Sequence, residues 1–143
     1  MRIIKMTEKH ASGLAELDKI CFSVPWSENS FREEAGNSLA KYFVAEDEGK
    51  IIGYAGVWCV QDEGQITNIA VLPEYRRCGI ASALLEKLIS ECEDLARLVL
   101  EVRESNSGAV ALYEKYGFKR VGIRKNFYHS PTESAIIMIR GDE

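Results

Sequence analysis

Residues 66–92, ITNIAVLPEYRRCGIASALLEKLISEC, change their hydrophobic period within one stretch, and that change limits what the chain can fold into. Ile66, Ile69 and Val71 form a β-prone apolar run, and Pro73 ends it because proline has no N–H to give to a ladder. From Ala81 onward, Ala81, Leu84, Leu85, Leu88, Ile89 and Cys92 fall on one face of an α-helix, with Glu86, Lys87, Ser90 and Glu91 on the other. Between strand and helix lies Arg76-Arg77-Cys78-Gly79-Ile80-Ala81. A helix N-terminus presents unpaired N–H groups and a partial positive charge. Gly79 lets the backbone approach a ligand and the two arginines add full charges, so the arrangement suits a pyrophosphate. On turn chemistry alone, an ordinary strand–loop–helix connection with solvated arginines explains the loop equally well.

The rest of the chain supplies elements for this unit to pack against. Arg2 to Met6 reads as a strand, and Thr7 can cap a helix whose inner face carries Leu14, Leu17 and Ile20. The chain breaks around Pro25, and Ser27 is the N-cap of a short second helix ending near Gly36. Tyr42 to Ala45 and Ile51 to Val60 read as an antiparallel hairpin about the polar turn 46–50, and a second turn at Asp62-Glu63-Gly64 leads into a central strand at 65–71. Leu98 to Arg103 is another strand. Ser105 and Asn106 begin a helix through Tyr116, and Gly117 caps it in the left-handed region. Phe118 to Arg124 and Ser134 to Arg140 are the last strands, joined by a loop containing Pro131. With no repeat, linker or low-complexity tract, residues 1–143 read as a single mixed α/β (α+β) domain, a length that suits one core and is short for two.

Several function classes are disfavoured. A formal charge of −4 argues against a broad nucleic-acid surface, which is normally basic. No run of 18 apolar residues is present, so no membrane span is expected, and MRIIKMTEKH lacks the apolar core of a signal peptide. Cys21, Cys59, Cys78 and Cys92 are scattered without a C-x-x-C pair, and the chain has only two histidines. Neither a metal site nor a disulfide scaffold is expected, and reduced thiols in the cytoplasm are the default. Cys21, Cys59 and Cys92 read as small core residues, and Cys78 as an incidental loop residue whose oxidation would obstruct a ligand there.

Arg76-x-x-Gly79-x-Ala81 following Asn68-Ile69-Ala70-Val71 resembles motif A of the GNAT family of N-acetyltransferases. Two positions depart from the commoner pattern: Cys78, where relatives more often carry polar or long side chains, and Ala81, where many carry glycine. The resemblance extends through Leu100-Glu101-Val102-Arg103, Ser105-Asn106, Ala111-Leu112-Tyr113-Glu114 and Tyr116-Gly117-Phe118. Pro25-Trp26-Ser27, Asn68 to Val71 and Ala135-Ile136-Ile137-Met138 are most similar to the RimI type, the bacterial ribosomal-protein alanine N-acetyltransferases.

The resemblance implies a GNAT fold, with a central mixed, mostly antiparallel sheet splayed at the cofactor strand and flanked by helices. It implies acetyl-CoA as cosubstrate, with the pyrophosphate on Arg76, Arg77, Cys78, Gly79, Ile80, Ala81 and Ser82. Pantetheine would lie along the backbone of Ile69, Ala70 and Val71, the Val71 N–H polarising the thioester carbonyl, and Asn106 would touch the pantetheine arm. The implied acceptor is a protein or peptide N-terminus, that of ribosomal protein S18 within the RimI type. A small-molecule amine is the alternative. No direct nucleic-acid partner is implied.

Direct acetyl transfer needs a base for the amine, a polariser for the carbonyl and an acid for the leaving thiolate. Glu101 interrupts an apolar strand; alternation would turn it to solvent, whereas the resemblance makes it the general base, acting through water. Tyr113 shares a helix face with Ala109 and Tyr116 and reads as a core aromatic from periodicity; the resemblance makes it the general acid. Asn106 reads locally as a helix N-cap. Trp26, near Phe22 and Pro25, reads as a core anchor, and the resemblance places it on the wall of the acceptor groove, with Tyr128 of the last hairpin a second candidate there. His129 reads as an exposed-loop histidine.

Overall fold

The computed structural model describes residues 1–142. Strand β1 (Arg2–Lys5) is followed by helices α1 (Ala11–Cys21) and α2 (Glu28–Ala35), and then by strands β2 (Ala40–Asp47), β3 (Lys50–Val60) and β4 (Glu63–Val71). Helix α3 (Ile80–Glu91), strand β5 (Arg97–Arg103), helix α4 (Ser107–Lys115) and strands β6 (Lys119–Tyr128) and β7 (Glu133–Gly141) complete the chain. The seven strands form one sheet in the order β1-β2-β3-β4-β5-β7-β6. Every pairing is antiparallel except β4 with β5. This is the mixed, mostly antiparallel sheet with flanking helices that the resemblance to the GNAT family implies.

Local chemistry accounts for several boundaries. Ser27 Oγ accepts the Ser30 N–H at 3.1 Å and starts α2. Asn106 Oδ1 accepts the Ala109 N–H at 3.1 Å and starts α4, which ends at Gly117 with φ +91°. Thr7 opens a short 3-10 turn, Glu8–His10, ahead of α1, and its N–H donates to His10 Nδ1 at 2.9 Å. The buried face of α1 differs from the expected one. Ile20 is 63% exposed, whereas Ala11, Leu14, Ala15, Leu17 and Asp18 face the core. The stripe runs through positions 11, 14, 15 and 18, so an aspartate occupies a slot that helical periodicity reserves for an apolar side chain.

The α3 stripe is buried as its spacing requires, with Leu84, Leu85 and Leu88 fully inside. Completely burying one such side chain stabilises the fold by about 1.5–3 kcal/mol. Strand β4 pairs with β3 along its length, with a bulge that leaves Thr67 unpaired between Ile66 and Asn68. Gly56 permits this arrangement, because a Cβ there would lie 2.2 Å from Tyr42 Cε2. The Tyr42 ring fills that space and brings its hydroxyl to 2.8 Å from Thr67 Oγ1.

On its other edge β4 meets β5 at only three register positions: Glu63 with Arg97, Gly64 with Leu98, and Gln65 with Val99. Beyond them the strands part, while β5 continues to pair with β7 from Arg97 through Arg103. The sheet is therefore split from within.

Candidate active site

A cleft of about 790 Å³ opens where β4 and β5 separate. Residues 65–69 of β4 form one wall and residues 100–103 of β5 the other. Asn106, Ala109 and Tyr113 close it on the α4 side, the segment between α1 and α2 contributes Phe22 and Trp26, and residues 127–131 of the β6–β7 hairpin complete the rim.

Glu101 stands on the β5 wall, its side chain 29% exposed and its Oε1 3.6 Å from Arg124 Nε. Leu100 and Val102 on either side are buried, so the strand's alternation directs the carboxylate into the cleft rather than to open solvent. Tyr113 is 9% exposed and packs against Phe118 with ring centres 5.7 Å apart, so its ring is a core aromatic that also reaches the cleft. Burial, with a smaller contribution from Tyr128, pushes its phenol up to about 12. Ala109 shares the cleft with Tyr113, but Tyr116 does not; its hydroxyl donates to Glu86 Oε1 at 2.6 Å, bridging α4 to α3.

The basic loop lies outside the residues lining this cleft, at the start of α3. Gly79 is the left-handed N-cap of α3, with φ +77°, and a Cβ placed on it would meet nothing within 4 Å, so the loop's backbone is open to approach. Arg77 is also left-handed, with φ +65°. Arg76 turns back, donating from Nε to the Val71 carbonyl at 3.1 Å. Cys78 is exposed, its thiol 3.7 Å from the Arg76 carbonyl oxygen. Ile80 is buried, Ala81 and Ser82 are half-buried, and Ala70 and Val71 have their side chains in the core, so Ile80, Ala70 and Val71 can meet a ligand only through their backbone. Ile69 is half-buried and lines the cleft.

Trp26 is half-buried, with its ring 5.4 Å from Phe31 and 6.2 Å from Tyr42. Tyr128 sits under the Arg103 guanidinium, 4.4 Å from its ring centre. Burial and then the Glu101 charge push its phenol up to about 12. Arg103 also straps the hairpin: Nη1 donates to the Pro131 carbonyl at 3.0 Å and to Glu133 Oε1 at 3.2 Å, and Nη2 donates to the His129 carbonyl at 3.2 Å. His129 is exposed, as its loop position suggested, but it also belongs to the rim.

Two cleft residues, Asp18 and Asn68, and the buried Tyr54 that joins them have no role in the sequence reading. Asp18 is 1% exposed; burial pushes its carboxyl up, while the Tyr54 hydroxyl at 2.6 Å and the Trp26 N–H at 2.8 Å pull it back down. Tyr54 is fully buried, and burial together with the Asp18 charge lifts its phenol far above the usual range. Asn68 donates from Nδ2 to the Tyr54 hydroxyl oxygen at 3.2 Å. The available signal was Asp18 itself, a charge on the apolar stripe of α1. Among the described residues no cluster of His, Cys, Asp and Glu is placed to hold a metal ion, and no helix is long and apolar enough to cross a membrane.

The family model described as Acetyltransferase (GNAT) family matches residues 11–118. The chain belongs to the GNAT family. One GNAT relative from Bacillus subtilis (strain 168) is 44% identical over 126 residues, covering 86% of this chain and 83% of its own. The Escherichia coli (strain K12) [ribosomal protein bS18]-alanine N-acetyltransferase is 41% identical over 126 residues, 85% of this chain and 84% of that one. Among solved GNAT folds, the crystal structure of the ribosomal-protein-S18-alanine N-acetyltransferase from Escherichia coli superposes with a TM-score of 0.90 at 37% identity, covering 98% of this chain and 92% of that chain.

Proposed function

We propose that this protein is an acetyl-CoA-dependent N-α-acetyltransferase that acetylates the N-terminal alanine of ribosomal protein bS18 by direct transfer. The observation that carries this reading is the placement of Glu101 on β5 and Tyr113 on α4 in one cleft, rimmed by Trp26 and Tyr128. The names and identities of the relatives support the acceptor.

The residues present suit acetyl-CoA. Gly79 leaves the start of α3 open for a pyrophosphate, which Arg77 and the N–H groups through Ser82 would hold. Beyond Gln65 the β4 edge has no strand on its β5 side, so its backbone is available to pair with an extended pantetheine arm. The Val71 N–H is the proposed polariser of the thioester carbonyl. Asn106 already uses Oδ1 to cap α4, which leaves its NH₂ group for the arm.

In the proposed reaction the α-amine gives a proton to Glu101, directly or through one water. The α-amine enters as an ammonium, so that first transfer frees its lone pair. The nitrogen attacks the thioester carbon, a C–N bond forms, and the C–S bond breaks with its electrons leaving on sulfur. The nitrogen sheds its second proton to water as the amide forms. Tyr113 returns a proton to that thiolate. A phenol held up at about 12 keeps its proton at neutral pH, as an acid in this role must. Solvent then resets the two residues.

The deciding experiment follows CoA thiol release with peptides beginning Ala, Ser, Met or Gly, beside an N-blocked peptide, spermidine and free amino acids. Turnover on the Ala-start peptide that vanishes when its α-amine is blocked is the expected result. Turnover on the small amines alone would retain the acetyltransferase and replace the acceptor.

A further inference from the structure

A chain of hydrogen bonds joins α1 to the cleft wall of β4, and the charge at one end sets its direction. Asp18 accepts twice, Oδ2 from the Trp26 N–H at 2.8 Å and Oδ1 from the Tyr54 hydroxyl at 2.6 Å. A carboxylate has no proton to give back. Tyr54 has one proton, and with that directed at Asp18 its oxygen is left to accept, which it does from Asn68 Nδ2 at 3.2 Å. The two ends of an amide differ, so committing the NH₂ end to Tyr54 turns Oδ1 the other way. Among the described residues no donor reaches that Oδ1, and no buried side-chain oxygen or nitrogen lacks a partner. The Asn68 oxygen is therefore open to the cleft, which Asn68 lines opposite Glu101.

We infer that Asn68 binds the acceptor, its Oδ1 taking a hydrogen from the substrate's α-amine while Asp18 and Tyr54 act as positioning residues that hold the oxygen outward. The inference rests on the cleft being the amine site. An amine attacking a carbonyl must aim its lone pair at carbon, and its N–H bonds then point to the sides. Glu101 takes one proton from the β5 wall, and Asn68 Oδ1 meets a second hydrogen from the β4 wall. A primary amine satisfies both groups. With an NH₂ group facing the cleft in place of the oxygen, two donors would confront each other, and an isosteric amide would disfavour the ligand it otherwise receives.

The test reverses the chain without changing its shape. In Asp18→Asn the new amide must use its oxygen for the Trp26 N–H, so its NH₂ donates to the Tyr54 oxygen. The hydroxyl proton then swings to position 68, and the Asn68 amide rotates to present NH₂ to the cleft. Peptide KM is expected to rise on the order of tenfold, the size of one hydrogen bond to a charged partner, with acetyl-CoA KM unchanged. Asp18→Asn combined with Asn68→Asp should restore peptide KM to within about threefold of the parent, because the carboxylate now at position 68 accepts the Tyr54 proton and still turns an oxygen to the cleft. A merely structural role for Asp18 predicts no such rescue.

Asn68→Leu, which removes both polar ends at a half-buried site, should raise peptide KM like Asp18→Asn, and it serves if Asp18→Asn does not fold. Peptide Kd on the CoA-saturated protein, read by calorimetry, separates this inference from the proposed activity: a parent that binds peptide without turning it over sinks the activity and still reports the effect of Asn68. Unchanged peptide affinity in the folded single variants, no recovery in the double variant, or a parent that does not bind the peptide would each overturn the inference.

Discussion

Arg76 donates through Nε to the Val71 carbonyl oxygen at 3.1 Å, so the first arginine of the basic loop, though exposed, is tied to the end of β4. The Cys21 thiol lies 3.6 Å from the same oxygen. Two elements thus fix the carbonyl of the residue whose N–H is the proposed polariser, and the adjoining loop starts from a fixed point.

Removing that tie should act on the cosubstrate. Arg76→Ala is expected to raise acetyl-CoA KM about tenfold, through loss of a charged hydrogen bond that orders the loop. Arg77→Ala, which removes an exposed charge, should cost only a few-fold and do so less at high salt. Titrating acetyl-CoA against each variant at two ionic strengths checks both.

Glu101→Gln keeps the shape of the β5 wall and removes the proposed base. Turnover should fall on the order of 10²-fold or more, with CoA binding by calorimetry unchanged. Undiminished kcat would take Glu101 out of the mechanism.

Tyr113→Phe should slow kcat while leaving acetyl-CoA KM close to the parent value, whereas a protein that fails to fold would favour a purely packing role. The raised phenol also sets an alkaline limit on stability. With the folded value near 12 and the unfolded one near 10, the stabilisation is complete below pH 10 and is lost as pH climbs to 12, because the unfolded chain releases its proton first. Tyr113 alone should account for roughly 2–3 kcal/mol across that window. Urea midpoints of the parent between pH 9 and 12 should fall more steeply than those of Tyr113→Phe.

Gly79→Val should weaken acetyl-CoA binding with little change in peptide affinity. No atom lies within 4 Å of the added Cβ, so its cost is backbone strain of about 1–2 kcal/mol at φ +77° and a side chain standing where the ligand would approach. Retained CoA affinity would remove the pyrophosphate from this loop.

What could be read from the sequence was local. The switch from a strand run to the Ala81–Cys92 stripe, the Asn106 cap and Gly117 all depend on neighbours within one or two turns, and all stand where their spacing put them. Asp18 is different. Its burial is tolerated because of a hydroxyl 36 residues away on β3 and a backbone N–H beyond the end of the helix, so periodicity chose Ile20 for the core when it faces outward. Tyr116 is a similar case, its hydroxyl reaching a glutamate 30 residues earlier in the chain. The parting of β4 from β5 is also non-local; the family resemblance carried it, and the ladder contains no residue type that would announce it.

Among the described residues the ladder that joins the four-strand side of the sheet to the three-strand side, β4 with β5, has only three rungs. A ligand that lies along both open edges would supply further rungs and so behave as part of the architecture. Its binding energy then adds directly to the energy opposing unfolding, by about 2.7 kcal/mol when its concentration is a hundred times its Kd. The CoA left after transfer keeps the same arm and would fill the same edges, so the support for the folded state would track the whole CoA pool and pass undiminished through each turn of the catalytic cycle.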